Sequence, residues 1–219
     1  MKLKTRRLPA AALGIMLLAL GGCGLAKGAD RLVLGQADGP YQCAWQEWTR
    51  RGNLSRDLSL VLDAQATYRS ARFQEAYLRR HAEVYRIQPE ELSRQLAEAR
   101  EMAGREMRVV LVASTGDRRW NDFAKPDSVW RVFLQNDRGE HLAPMSKRHL
   151  EDRTEVAGFF PLGQWSEAYE FVFCPEGEQA RAFSGGRVSL VLASVLGNAQ
   201  FEWDVNVAQS LNSSAIQGN

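Results

Sequence analysis

Residues 188–205 have the sequence VSLVLASVLGNAQFEWDV, in which two largely apolar segments flank Gly197-Asn198. A Gly-Asn pair between two such segments favours the tight turn of a β-hairpin. From Gln200 to Val205 apolar and polar side chains alternate, so they would point to opposite faces of a strand. The stretch therefore predicts an antiparallel hairpin with one buried face, in a fold built on β-sheet.

Other parts of the chain carry the same signals of short strands, with period-two alternation or a Val-rich apolar run bounded by turn residues. About seven such strands, separated by turn signals, are typical of a β-sandwich. The predicted strands are Leu58–Thr67, Arg108–Ser114, Val129–Leu134, His141–Lys147, Tyr169–Cys174 and the two strands of the 188–205 hairpin.

Two helices are predicted between the first of these strands and the others. From Ser70 onward apolar residues such as Phe73 and Tyr77 recur on one helical face. Pro89, followed by two glutamates, is typical of the first turn of a second helix. The sequence thus predicts an α+β fold, a β-sandwich with an inserted two-helix hairpin.

The N-terminus has the composition of an export signal. Residues 1–7 contain four basic and no acidic side chains, and residues 8–20 form an apolar run rich in Leu and Ala. This run is shorter than the roughly 20 residues that span a bilayer core, so a removable signal peptide over 1–22 is favoured.

Leu20-Gly21-Gly22-Cys23 resembles the lipobox of bacterial lipoprotein precursors. The resemblance covers residues 1–23 and implies a lipid on the Cys23 sulfur, cleavage after Gly22 and acylation of the new amino group. Two or more acyl chains would hold the protein firmly on a lipid bilayer. Because Gly24 rather than Asp follows the cysteine, the resemblance implies the outer membrane, with the domain facing the periplasm. The alternative is an ordinary secretory signal with an accidental cysteine.

The remainder is expected to form one globular domain over 43–207. The lipidated N-terminus and a glycine-rich flexible tether would occupy 23–42, and a polar, disordered tail 208–219. Without residues 1–22 the acidic side chains slightly outnumber the basic ones, which argues against nucleic acid as a partner. Segments 68–73 and 126–133 are similar to a group of bacterial lipoproteins that have no known activity.

Cys43 and Cys174 are the cysteines that remain after Cys23. In an exported protein two such cysteines predict one disulfide, because the compartment is oxidising. A loop of about 130 residues closed in this way would contribute about 4–5 kcal/mol in the chain-entropy model. Two free thiols are the alternative.

The sequence offers no pattern for catalysis, a metal or a cofactor. His81, His141 and His149 lack the paired spacing of metal ligands, and no Gly-x-Ser-x-Gly elbow is present. We therefore expect no catalytic residue, no metal site, no cofactor and no enzyme activity.

Two predicted loops carry tryptophan, one of them beside arginine. Arg118, Arg119 and Trp120 follow one strand, and Trp165 precedes another. Exposed Trp and Arg are frequent hot spots of protein interfaces, so these four residues are predicted to bind a partner. Packing of the tryptophans in the sandwich core is the alternative.

The sequence predicts a membrane-anchored periplasmic lipoprotein, a non-enzymatic accessory or scaffold subunit of an envelope assembly. Its partners would be the lipid bilayer, through acylated Cys23, and an envelope protein. A lipid- or peptide-binding module is the alternative, and a hydrolase with a site assembled from distant residues is a third, less favoured one.

Overall fold

The computed structural model of the protein describes residues 39–152, 156, 160 and 163–205. The signal peptide, the lipobox with Cys23 and the tail predicted over 208–219 lie outside these residues. Asp38–Asn219 form one compact unit, and the buried core that the described residues form lies between Ala44 and Val205. Of the helices in the described ranges, none is both long enough and apolar enough to cross a membrane.

Nine strands within the described residues form two antiparallel sheets. The strands of sheet A are β1 (Thr49–Arg56), β2 (Ser59–Tyr68), β3 (Met107–Thr115), β6 (Ser146–His149) and β7 (Glu167–Phe173). Those of sheet B are β4 (Arg131–Asn136), β5 (His141–Leu142), β8 (Arg187–Ser194) and β9 (Gly197–Asp204). The spatial order is β1-β2-β3-β7-β6 in sheet A and β5-β4-β8-β9 in sheet B.

Alternation along the strands decides which side chains enter the core. Leu62, Leu111 and Phe171 of sheet A are fully buried, as are Leu190 and Phe201 of sheet B. All belong to one hydrophobic cluster, so the sheets pack face to face. Each side chain of this kind stabilises the fold by about 1.5–3 kcal/mol when fully buried.

The helical hairpin lies between β2 and β3, as the sequence predicts, and the α+β class is confirmed. The Ser70 hydroxyl caps the first hairpin helix by accepting a hydrogen bond from the Phe73 amide at 3.1 Å. This helix ends at Arg86, whose φ of 56° is left-handed, and Pro89 opens the next one. The helices are α1 (Pro40–Trp48), α2 (Ala71–Tyr85), α3 (Pro89–Ala103) and α4 (Glu178–Phe183).

The edge strands β1 and β9 of the two sheets lie against each other. The Arg50 Nε donates a hydrogen bond to the Glu202 backbone oxygen at 2.9 Å. Gly197 has a φ of 135°, which strains any residue with a side chain, and it lies against the end of the Leu54 side chain, so glycine suits this approach. The contact covers two strand edges that would otherwise be open to pairing with other chains.

A buried carboxylate ties the outer face of sheet A together. The side chain of Glu170 on β7 is only 5% exposed. Its oxygens lie 2.7 Å from Arg69, 2.7 Å from Arg148 and 3.8 Å from Arg108. Arg69 also donates to the side chain of Gln74 on α2 at 2.9 Å, so the cluster joins β3, β6, β7 and the end of β2 to the helical layer.

The opposing charges lower the pKa of Glu170 although its burial acts in the other direction. Desolvation raises the pKa, but the hydrogen bond from Arg148 and the charges of Arg69, Arg148 and Arg108 outweigh it. The net shift is downward, so the ionised carboxylate stabilises the folded state.

Some local predictions differ from the structure. The turn of the 188–205 hairpin is Val195-Leu196, two residues before the predicted Gly197-Asn198, because Ser194 pairs with Gly197. Gly197 serves the close approach to β1 instead. Strand β1 and helix α4 were not predicted, since neither segment has a clear apolar period. Helix α1 starts at Pro40, so residues 40–42 belong to the fold and not to the predicted tether.

The predicted disulfide is wrong for this structure, because Cys43 and Cys174 are both free. Cys43 is exposed on α1, which leads into β1, whereas Cys174 directly follows β7.

Replacing Glu170 with Gln should lower the free energy of unfolding by about 3 kcal/mol, because a buried charge cluster loses its anion. In the wild type this contribution should be complete above about pH 4.3, the ordinary Glu pKa, and be lost as pH falls through the lower folded pKa. Urea unfolding across the acid range measures both effects. Glu91→Gln, on the exposed face of α3, is the control, and equal behaviour of the two variants would refute the role of Glu170.

Candidate functional site

The pairing of the strands brings four connections together at one end of the sandwich. In sheet A, Leu62 of β2 lies opposite Thr115 of β3, and β3 runs antiparallel to β7, so the β1–β2 turn, the end of β3 and the start of β7 share one end. In sheet B the β8–β9 turn lies at the same end, because Gly197 packs against Leu54 of β1. The described segments there are 57–58, 116–130, 163–166 and 195–196, which we call the loop end.

The loop end brings together two of the residues predicted from the sequence. Arg118 lies in a short 3₁₀ turn after β3, and its guanidinium carbon is 3.9 Å from the ring centroid of Trp165. Trp165, just before β7, is 59% exposed. A cation over an indole face at this distance makes a cation–π contact. The contact holds both side chains in place at the surface.

Arg119, the neighbour of Arg118, is paired within its own turn. Its side chain lies 2.5 Å from a carboxylate oxygen of Asp117, and its backbone amide donates to the same carboxylate at 3.0 Å. These two hydrogen bonds lower the pKa of Asp117 to about 2, so the pair is ionised at neutral pH. Arg118, in contrast, makes no ion pair with a described residue, so it can meet an acid from outside.

Trp120 contributes to this surface mainly by holding the backbone of the loop in place. The side chain is half-buried, and its backbone oxygen accepts a hydrogen bond from the buried indole of Trp130 at 2.8 Å. Asn121 donates to the Ala113 oxygen at 2.9 Å, and the Tyr169 hydroxyl donates to the Asn121 oxygen at 2.5 Å. The segment that carries Arg118 is therefore fastened to β3, β7 and the start of β4.

Exposed aliphatic side chains complete the loop end, and sequence reasoning missed them. Leu58 and Leu60 were assigned to the buried face of a strand, yet Leu58 is fully exposed and Leu60 is half exposed. Leu58 lies in the β1–β2 turn with a φ of 64°, outside the alternation that Leu62 begins. Val129 and Val195 are also exposed. The turn chemistry at Asp57-Leu58 is the signal that could have located the first of these positions.

The histidines lie apart from one another, each beside an aromatic ring. His81 packs on Tyr85 with centroids 4.5 Å apart, and His141 packs on Phe133 at 4.3 Å. His149 lies 3.1 Å from a Glu167 oxygen. In the part of the chain that the structure describes, no three His, Cys, Asp or Glu side chains lie close enough to hold a metal ion.

A small cleft lies at the opposite end of the sandwich. Tyr68, Arg69, Glu106, Phe183 and Val205 are among its lining residues, and its volume is about 140 Å³. Pockets for small ligands usually begin at about 300 Å³. The cleft is too small for the lipid or peptide that the alternative hypothesis requires.

Trp165→Ala should change the free energy of unfolding by less than about 1 kcal/mol, because an exposed cation–π contact contributes little. Trp130→Ala should cost about 3–5 kcal/mol, since Trp130 is buried. Urea unfolding of the two variants measures the difference. A loss at Trp165 as large as that at Trp130 would make Trp165 a core residue and remove it from the candidate surface.

No family model and no curated protein matches the chain. A crystal structure of a protein of unknown function from Burkholderia pseudomallei is similar over 79% of this chain and 86% of that chain, with 13% identity and a TM-score of 0.42. Bovine butyrophilin is similar over 45% of this chain and 36% of that chain, with 13% identity and a TM-score of 0.25. At these TM-scores neither similarity bears on fold or function.

Proposed function

We propose that the protein is an outer-membrane lipoprotein whose domain faces the periplasm and acts, without catalysis, as an accessory or scaffold subunit of an envelope assembly. The Leu20–Cys23 box supports the anchor. The observation that carries the docking role is the stack of Arg118 on exposed Trp165. Through this stack the domain binds a partner protein.

The stack suits a protein partner because it is both exposed and held in place. Trp and Arg dominate interface hot spots, and a side chain already fixed before binding loses less conformational entropy when the partner arrives. Asp117 neutralises Arg119, which leaves the Arg118 guanidinium as the donor for a carboxylate of the partner. The partner surface is therefore expected to be apolar with an acidic residue opposite Arg118.

The lipid- and peptide-binding alternative has less support. It needs a cleft of several times the 140 Å³ found at the end of the sandwich opposite the stack. The docking proposal needs no cavity, since the stack stands on the surface.

The anchor is tested by exporting the chain from residue 24 behind a signal peptide without a lipobox. The wild type should sediment with outer membranes, because several acyl chains hold it there, and the altered protein should be soluble in the periplasm. Cys43→Ser in the wild-type background is the control, and it should remain with the membranes. An unanchored protein that still sediments quantitatively would contradict lipidation as the main attachment.

The docking role is tested by a photoreactive residue in place of the exposed Gln164, next to Trp165, crosslinked in cells and analysed by mass spectrometry. We expect one stoichiometric envelope protein, and Arg118→Ala with Trp165→Ala should abolish its co-purification without lowering the Tm. Val84→Ser with Tyr85→Ser, two exposed positions on α2, is the matched control. Unchanged co-purification of the Arg118 and Trp165 variant would remove this surface from the proposal.

A further inference from the structure

We propose that the β1–β2 and β8–β9 turns form a second contact surface, which docks on a lipid bilayer. We call Leu58 and Val195, one in each turn, the apolar tips. Leu58 is fully exposed and Val195 is 90% exposed. Both side chains project from the end of a hairpin into solvent and contribute nothing to the core.

Leu58 stands where the backbone disfavours it. Asp57 and Leu58 have φ values of 49° and 64°, the left-handed conformations of a type I′ turn, in which Asn, Asp and Gly are the usual residues. A bulky residue at positive φ costs conformational free energy, and Leu58 recovers none of it by burial. A strained residue that the fold itself does not need suggests a functional role. Here that role would be a contact with something outside the protein.

The β8–β9 turn also carries an exposed aliphatic side chain, although its backbone conformation differs from that of the β1–β2 turn. Its two residues are Val195 and Leu196, without the Gly, Asn, Asp or Ser that usually fill hairpin turns. Leu196 packs against the core, whereas Val195 points outward. Because Leu54 of β1 packs on Gly197, the two hairpins lie side by side, and their tips point out of the loop end together.

The form and charge of the tips suit a bilayer better than a protein. They are separate convex points, which a fluid surface can surround, whereas a protein would need a matched pocket for each one. Arg56 lies 3.7 Å from Asp57, and the Val195 turn carries no charge.

The length of the chain before the fold permits this contact, a step that rests on the proposed acylation of Cys23. The described residues begin at Gly39, and the chain from Cys23 to Gly39 can extend to at most about 55 Å. The longest strand, β2, has 10 residues and is about 33 Å long. The covalent reach therefore exceeds the length of the sandwich, and the tips can touch the bilayer that holds the anchor.

The test uses the unacylated chain from residue 24, because the buried core lies within 44–205 and does not need the lipid. Co-sedimentation with phosphatidylcholine vesicles at millimolar lipid should detect binding. Leu58→Asn and Val195→Ser should each lower the partition coefficient about tenfold, since each removes an aliphatic side chain from the contact. Leu58→Asn should also raise the Tm, because Asn suits the left-handed turn, so the loss cannot come from unfolding.

Val84→Ser with Tyr85→Ser, exposed on α2, is the matched control and should bind as the wild type does. Adding phosphatidylglycerol should change binding at most about fivefold, because the three basic and three acidic side chains of segment 116–130 balance. No vesicle binding, or equal binding of Leu58→Asn, would overturn the proposal, as would a photocrosslink from position 58 to a protein. Leu58→Asn should keep the partner crosslinked at position 164, so failure of either proposal is visible without the other.

Discussion

The carboxylate of Glu170 is the constraint on which the arrangement of sheet A and its helices depends. It is buried on the outer face of β7, and it can stay ionised there only because Arg69, Arg108 and Arg148 surround it. Each arginine comes from a different element of the chain, and each must reach the same two oxygens. Removing the anion would leave Arg69 and Arg148 without an acidic partner among the described residues, whereas Arg108 would keep Glu106. The anion therefore ties β6 and the end of β2 to β7, and Arg69 carries the link on to α2 through Gln74.

This cluster lies on the outer face of the sheet, whereas the surfaces that we propose to be functional lie among the connections at one end. Phe123 and Trp130 of these connections are buried in the core and anchor the loops, but several of the other side chains are exposed. Their exposed side chains are therefore available for binding. Strands that are rigid through packing hold loops whose side chains cost little stability to change, an arrangement in which binding residues are common.

The two proposed contacts differ in physical character. Arg118 on Trp165 offers a charged donor fixed on an aromatic plane, which selects for an acidic group on a protein surface. Leu58 and Val195 offer only apolar area, which selects for an apolar medium and not for a particular partner. If both contacts form, the acyl chains supply affinity for the membrane and the apolar tips orient the domain on it. Arg118 with Trp165 then binds the partner protein.

The sequence by itself determined the features of the protein that depend on residues close together in the chain. Period-two alternation identified most strands, and helical spacing with Pro89 identified the hairpin of helices. The sequence placed Arg118 and Trp165 in separate loops, and only the structure shows that they stack. Only the tertiary structure decided the features that depend on contacts between residues far apart in the chain. Glu170 is buried because arginines from three other parts of the chain converge on it. Leu58 is exposed because β2 begins at Ser59, which leaves Leu58 in the β1–β2 turn. Alternation specifies which side chains share a face, but coverage of that face depends on how distant segments pack.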